Sequence, residues 1–331
     1  MKAAFKRGKM VVLRDVALRP VRPHEVRLCV AACGICGSDL HGDAEGKEAP
    51  FGHEVSGTIL EVGSAASGLA VGQKVALESS SACGRCENCR NARQELCADI
   101  QSFFFSDSFG FAEEMIAPAV SAIPCEDLAP QVATLSEPLA VAIDMVRLAE
   151  ISDRSNVLVM GAGPIGLMAQ MLIRKKGARR VFFSAYRAQK IRFELAQELG
   201  ADEVIDPTET SLAKFDFGCP VDRILITAPP DALNDAFALA AKGAMITFVG
   251  IGVDDGAFCR FNANEFHFKK LQLRASFASP ALYTPLALEY LRDGVVPGES
   301  LISHRFSLER IQEAMDAARD KARALKVVVT P

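Results

Sequence analysis

Tryptophan is absent from the 331 residues, and there are only three tyrosines and five histidines. With so few histidines, any that stands beside a cysteine or a carboxylate is worth weighing as a ligand or a proton carrier. No apolar run reaches the roughly twenty residues a membrane-spanning helix needs. The first fifteen residues scatter charges among their apolar positions and lack the continuous apolar core of a secretory signal. A surplus of base is missing too. Lys and Arg number 37 against 41 Asp and Glu, a net charge of −4, which offers no positive surface for nucleic acid. These absences leave a cytoplasmic protein, with neither nucleic acid nor membrane as partner, as the expectation.

Half the residues are hydrophobic, and the length suffices for two domains with separate cores. The clearest signal is the stretch Asn156 to Gly166. A buried apolar run, Val157 to Met160, ends in Gly161, Gly163 and Gly166, spaced G-x-G-x-x-G, with Pro164 and Ile165 between the last two. A helical apolar pattern follows at once. Strand, glycine turn and helix in that order are the context of a dinucleotide-binding turn, in which free N–H groups at a helix start face a pyrophosphate. From there to Ala275 the pattern alternates. Strands are expected at Val157–Met160, Val181–Ser184, Glu203–Ile205, Arg223–Thr227, Met245–Val249 and Leu271–Ala275, with helices at 165–176, 188–199 and 231–241 between them. That is a doubly wound parallel sheet. Before it lie short alternating runs of β character, including 52–63 and 72–77, and a helical stretch at 129–150. After it come a helix at 284–294, a strand near 301–306, a helix at 307–319 and a last strand at Lys326–Val329. This final segment has no sheet of its own and is expected to complete the first domain. The expected division is 1–138 with 276–331, and 139–275.

The ten cysteines are not spread evenly. Cys83, Cys86, Cys89 and Cys97 follow C-x2-C-x2-C-x7-C in a polar lobe with little to bury. Four thiolates on one zinc ion would supply the missing order, and with no open position that zinc would be structural. An iron–sulfur cluster is the runner-up, although the C-x3-C-P continuation of that pattern is missing. A second set is spread more widely: Cys36 in CGICGSDLH, His53 and Glu54 in GHE, and Glu137 in SEP. One thiolate, one imidazole and one carboxylate are ligands a catalytic zinc uses, with the fourth place left to water or substrate oxygen. Gly34, Gly37 and Gly52 around them mark backbone held in special turns. The remaining cysteines, Cys29, Cys33, Cys125, Cys219 and Cys259, read as small buried residues, and His24, His267 and His304 as unremarkable histidines.

CGICGSDLH, GHEVSG, GQKVAL, the four-cysteine lobe, SEPLAVAID, GAGPIG and SHRFSLERIQEAM, in that order, resemble the zinc-dependent medium-chain alcohol dehydrogenases over the whole chain. The Glu-Pro at 137–138 resembles the polyol branch, which includes sorbitol, threonine and sugar-alcohol dehydrogenases. The resemblance implies a GroES-like β-rich catalytic domain and a Rossmann cofactor domain. It implies two zinc ions per chain, the catalytic one on Cys36, His53 and one of Glu54 or Glu137. It also implies hydride transfer between a small polar alcohol and a nicotinamide, with Ser38 passing the proton toward solvent and Asp39 and His41 extending that path. Val249, Gly250, Ile251 and Ser276 would line the cofactor, and a homodimer or homotetramer is expected through the edge strand at Leu271–Ala275. Two departures stand out. The chain between Cys36 and His53 is short, which would leave the pocket more open, and Ser-Phe-Gly-Phe-Ala at 108–112 replaces Gly-Gly-Phe-Ala. Phe103, Phe104 and Phe105 are candidate pocket walls.

The choice of nicotinamide turns on the end of the second strand of the parallel sheet. An NAD enzyme of this fold places an acid there for the ribose hydroxyls. Here the positions are Ala185, Tyr186 and Arg187, and no acid comes before Glu194. A guanidinium can pair with a 2′-phosphate, and Tyr186 can stack on adenine. The reading favours NADP(H), with NAD(H) as the alternative.

Overall fold

The computed structural model describes residues 1–41, 48–105, 108–252 and 254–331, the side chain of Phe105 excepted. The chain divides into two compact units, Met1–Ala140 with Ala278–Pro331, and Val141–Phe277.

The first unit is built on a seven-stranded sheet. Its order is Ala122–Pro124, Lys74–Leu77, Glu54–Val62, Glu25–Gly34, Lys326–Thr330 and Ile302–Ser307, with Glu114–Pro118 also paired to Glu25–Gly34. Alternation explains the central strand: Val26, Leu28, Val30 and Ala32 are all at most 3% exposed, and the residues between them are less buried. They pack with Val55, Ile59, Val75, Met115, Val327 and Val329 into one core. The C-terminal segment supplies the last two strands, parallel to each other, and Lys326–Thr330 runs antiparallel to Glu25–Gly34. Three strands from distant parts of the sequence thus lie side by side: Glu54–Val62, Glu25–Gly34 and Lys326–Thr330.

The second unit holds a six-stranded sheet in the order Glu203–Ile205, Arg180–Ser184, Asn156–Met160, Arg223–Ile226, Met245–Phe248, Gln272–Ala275. Every pairing is parallel. The strand order reverses beside Asn156–Met160, the strand that runs into the glycine turn, and such a reversal is where ligands bind in this architecture. Asn156–Met160 is buried along its whole length, as a strand covered on both faces must be. Among the described residues no helix is long and apolar enough to cross a membrane.

Some elements differ from the sequence reading. The stretch 129–150 is two helices, Pro130–Ala133 and Ser136–Leu148. Pro138 lacks an N–H and suits a first helical turn, so a new helix starts there; the Ser136 hydroxyl meanwhile donates back to the Ala133 carbonyl at 2.7 Å. The β run at 52–63 is the nine-residue strand Glu54–Val62, longer than the short strands expected in this region. The helix at 307–319 begins as a 3-10 turn, Leu308–Arg310. Gly34 lies in a strand, not a turn. Cys29 is exposed and Cys219 and Cys259 are half-buried, so only Cys33 and Cys125 of that group are core residues. His24 and His267 are exposed.

A Cβ on Gly166 would sit 2.1 Å from the Gly161 carbonyl oxygen, where only backbone could give way. Gly166→Ala should therefore cost about 1–3 kcal/mol, the usual penalty for forcing atoms into packed space. A lowered midpoint in urea unfolding is the expected readout, and an unchanged midpoint contradicts this packing.

Candidate metal centres and cofactor turn

Cys36 follows the strand Glu25–Gly34 and opens the short 3-10 turn Gly37–Leu40. His53 directly precedes the strand Glu54–Val62, and Glu137 sits in the first turn of Ser136–Leu148. Folding brings one ligand atom each of Cys36, His53 and Glu54 within 4.8 Å of one another. Glu137 stands outside that group yet near enough for its charge to act on His53. Asp39 is buried and accepts a hydrogen bond from the Cys36 N–H at 2.9 Å, which closes the turn. Its other oxygen lies 3.7 Å from Nδ1 of His53 and leaves Nε2 of the ring clear of this carboxylate.

The electrostatics are those of a desolvated acidic site. Burial disfavours charge on His53, but Cys36, Asp39 and Glu137 outweigh it and raise the imidazole well above its ordinary range. Burial lifts the Glu137 carboxyl to about 7 against the pull of His53, and Asp39 is raised by burial as well. Glu54 is fully buried, and its carboxylate is paired with the Lys326 ammonium. A thiol, an imidazole and a buried carboxylate whose ligand atoms converge are the donor set a zinc ion takes. The ring of Phe104, 44% exposed, lies 5.8 Å from that of His53 and forms one wall beside it.

The second constellation is self-contained. Cys83, Cys86, Cys89 and Cys97 also present sulfurs within 4.8 Å of one another. The Cys83 and Cys89 sulfurs are 3.9 Å apart and those of Cys86 and Cys97 4.0 Å. Four thiolates at about 2.3 Å from one tetrahedral ion are spaced by nearly that distance, so the lobe fits a single zinc and not a multi-iron cluster. N–H groups of Cys89 and Ala98 lower the Cys86 thiol to about 6, toward the thiolate a metal requires.

In the second unit, Gly161 has a φ of 113°, which only glycine adopts without strain. The helix Pro164–Lys175 starts two residues later, with Pro164 at its first position. Ile165 and Gly166 precede the first intrahelical bond, from the Leu167 N–H to the Gly163 carbonyl at 3.1 Å. No atom lies within 4 Å of where a Cβ on Gly163 would be, so the turn leaves open space in front of these groups. A parallel sheet aligns its carboxyl ends, and Gly161, Ala185, Val249 and Ser276 each follow directly on a strand at that edge. Gly250 is half-buried there and Ile251 is exposed.

Several candidates have partners already. The Ser276 hydroxyl donates to Asp144 at 2.6 Å. Tyr186 is 48% exposed. The Arg187 guanidinium donates to Glu209 at 3.0 and 3.3 Å and packs over Phe193. That pair is exposed, and such pairs are worth only about 0–1 kcal/mol, so an anion of higher charge can replace Glu209. Ser38 and His41 are both exposed. The His41 carbonyl accepts from Lys6 at 3.0 Å. The rest of the short loop after His41, residues 42–47, lies outside the described residues. One site residue escaped the sequence reading. Lys326 forms a buried ion pair with Glu54, and a lysine opening a strand of KVVVT carries no signal of that.

Residues 22–127 match the family described as Alcohol dehydrogenase GroES-like domain, and residues 164–291 the one described as Zinc-binding dehydrogenase. The sorbitol dehydrogenase of Bacillus subtilis (strain 168) is 31% identical, the match covering 100% of this chain and 97% of that protein. The L-threonine 3-dehydrogenase of Xanthomonas campestris pv. campestris (strain B100) is 30% identical over 100% of this chain and 99% of that protein. Among solved structures, a zinc-binding dehydrogenase of Sinorhizobium meliloti 1021 bound to NADP superposes with a TM-score of 0.87 at 27% identity, covering 100% of this chain and 99% of that one. A short chain alcohol dehydrogenase of E. coli CFT073 with NADH gives 0.88 at 27%, with the same coverage. The chain belongs to the zinc-dependent medium-chain alcohol dehydrogenases, in their polyol branch.

Proposed function

We propose that this dehydrogenase interconverts a secondary alcohol of a polyol, sugar acid or similar small polar molecule with its ketone, and that NADP(H) is its preferred nicotinamide. The observation that carries the reading is the convergence of Cys36, His53 and Glu54 within 4.8 Å, with Glu137 close by. In this reading the unit containing Met1–Ala140 is the catalytic domain and Val141–Phe277 the cofactor domain. Cys36, His53 and Glu54 hold the catalytic zinc, and Cys83, Cys86, Cys89 and Cys97 hold a structural one. Bound zinc supplies Lewis acidity at the substrate oxygen, and bound nicotinamide supplies the hydride acceptor.

The chain's own residues do the rest. Asp39 sets its carboxylate beside Nδ1 of His53, which favours a proton on that nitrogen and leaves Nε2 for the metal. Glu137, near 7, is poised to take or hold a proton at the site. Ser38, exposed two residues from Cys36, passes the alcohol proton outward, with His41 beyond it. Phe104 limits the width of the pocket beside His53. Ile165 and Gly166 offer N–H groups to the pyrophosphate. Absence of a carboxylate at Ala185, with Arg187 nearby, supports the 2′-phosphate. The exposed strand Gln272–Ala275, at the edge of its sheet, is the surface on which a second copy would pair to give a dimer or tetramer. Thiols clustered as metal ligands instead of disulfides support the cytoplasm as its place of work.

Cys36→Ser should lower kcat on the best polyol by on the order of a thousandfold while NADPH binding is kept, since it removes a metal ligand and leaves the other unit intact. Retained turnover sinks the assignment. With substrate held constant, kcat/KM should be higher for NADP+ than for NAD+, and Arg187→Ala should erase the difference. Equal efficiency in the wild type defeats the cofactor preference. Gly163→Ala should weaken both nicotinamides by about tenfold or more without moving the unfolding midpoint, because its Cβ intrudes only on the open space of the turn. Unchanged fluorescence titrations would place the pyrophosphate elsewhere.

A further inference from the structure

Among the described residues, the buried cationic side chains are Arg192 and Lys326. Lys326 is 3% exposed at its side chain, and its ammonium pairs with the fully buried carboxylate of Glu54 while donating to the Ile35 carbonyl at 3.0 Å. The two residues do not lie on neighbouring strands. Glu54 begins one strand, Lys326 begins another, and Glu25–Gly34 runs between them. In the register, Gly34 stands opposite Glu54 on one side and Val328 on the other. A Cβ at Gly34 would lie 2.1 Å from Oε2 of Glu54 and 3.1 Å from Cε of Lys326. The lysine therefore reaches the carboxylate over a strand that is bare at that one residue.

We infer that Lys326 is a positioning residue that competes with the metal for Glu54 and so sets how tightly the catalytic zinc is held. This rests on the proposed reading of Cys36, His53 and Glu54 as zinc ligands. Without metal, the acidic groups Asp39, Glu54 and Glu137 and the Cys36 thiol share a desolvated space, with His53 beside Asp39 and Lys6 at its margin as the other cations. The ammonium pairs with Glu54 and holds its carboxylate in place. With metal bound, the same positive charge would draw electron density from Glu54 and repel the ion. Lys326 thus makes the site easy to fill and weakens the hold of one ligand.

The test uses the zinc-loaded full chain and a chelator with a colorimetric zinc reporter. The zinc of the four-cysteine lobe serves as an internal control. Lys326→Met should release the labile zinc about tenfold more slowly than the wild type, because the competitor and its charge are gone, while the lobe zinc leaves at the wild-type rate. Lys326→Arg restores a cation and should bring release back toward the wild type. Cobalt exchanged into the labile site should show a changed d–d spectrum in Lys326→Met and a wild-type spectrum in Lys326→Arg. Should the Met variant fail to fold, Lys326→Gln makes the same comparison. Release that is unchanged or faster in the neutral variants, with the lobe zinc still bound, overturns the inference. A wild type that holds zinc only in the lobe overturns the reading beneath it, a result separate from any behaviour of Lys326.

Discussion

The constraint on which the first unit depends is charge balance inside a β-sheet. Asp39 and Glu54 are buried, Glu137 is half-buried, and Cys36 lies among them. An ionised carboxylate taken out of water is stable only when it is paired. The fold meets that demand with His53 on one side and Lys326 on the other. Both partners come from strand starts, where side chains near the sheet's end can converge. The directions of the shifts tell the same story. His53 and Lys326 are raised against the cost of burial by the acids around them, and Glu137 is lifted to about 7 because the compensation is incomplete. A divalent cation, as proposed for this site, would complete it.

The second unit solves a different problem, the display of donors at one edge. Its parallel sheet lines up the ends of six strands, and the reversal of strand order opens a gap beside Gly161. Glycines there have separate tasks. Gly161 takes a left-handed φ, Gly166 lets the helix touch the strand, and Gly163 keeps the face of the turn open. The helix after it is twelve residues long, enough for its N-terminal N–H groups to act together on an anion.

Much of this is legible in the sequence. Periodicity announced the parallel strands most clearly at the four central ones, which are apolar runs largely buried on both faces with little freedom of composition, whereas the edge strands Glu203–Ile205 and Gln272–Ala275 are more exposed. Both candidate ligand groups stood out by spacing and neighbouring glycines, and the structure brings together the four sulfurs of one and, in the other, Cys36, His53 and Glu54. What was not legible depends on register. Nothing in KVVVT marks Lys326 as buried, since its partner lies two strands away and 272 positions back in the chain. Gly34 looked like a turn residue because glycine in a strand is indistinguishable, one sequence at a time, from glycine beside one. The break between the helices Pro130–Ala133 and Ser136–Leu148 depended on Pro138 fitting a first turn, a local choice that hydrophobic spacing does not encode. Arg187 was visible as a cation, but its hold on Glu209 came only with the loop that carries that acid.

The central claim is that each chain carries two metal sites of different kind. Elemental analysis of protein purified without chelator, on the wild type and on a variant in which Cys83 and Cys86 are both serine, addresses it most directly. Two zinc ions per wild-type chain, with one retained when the lobe is dismantled, is the predicted result. One zinc in the wild type and none in the variant would leave the group of Cys36, His53 and Glu54 without a metal and contradict the account.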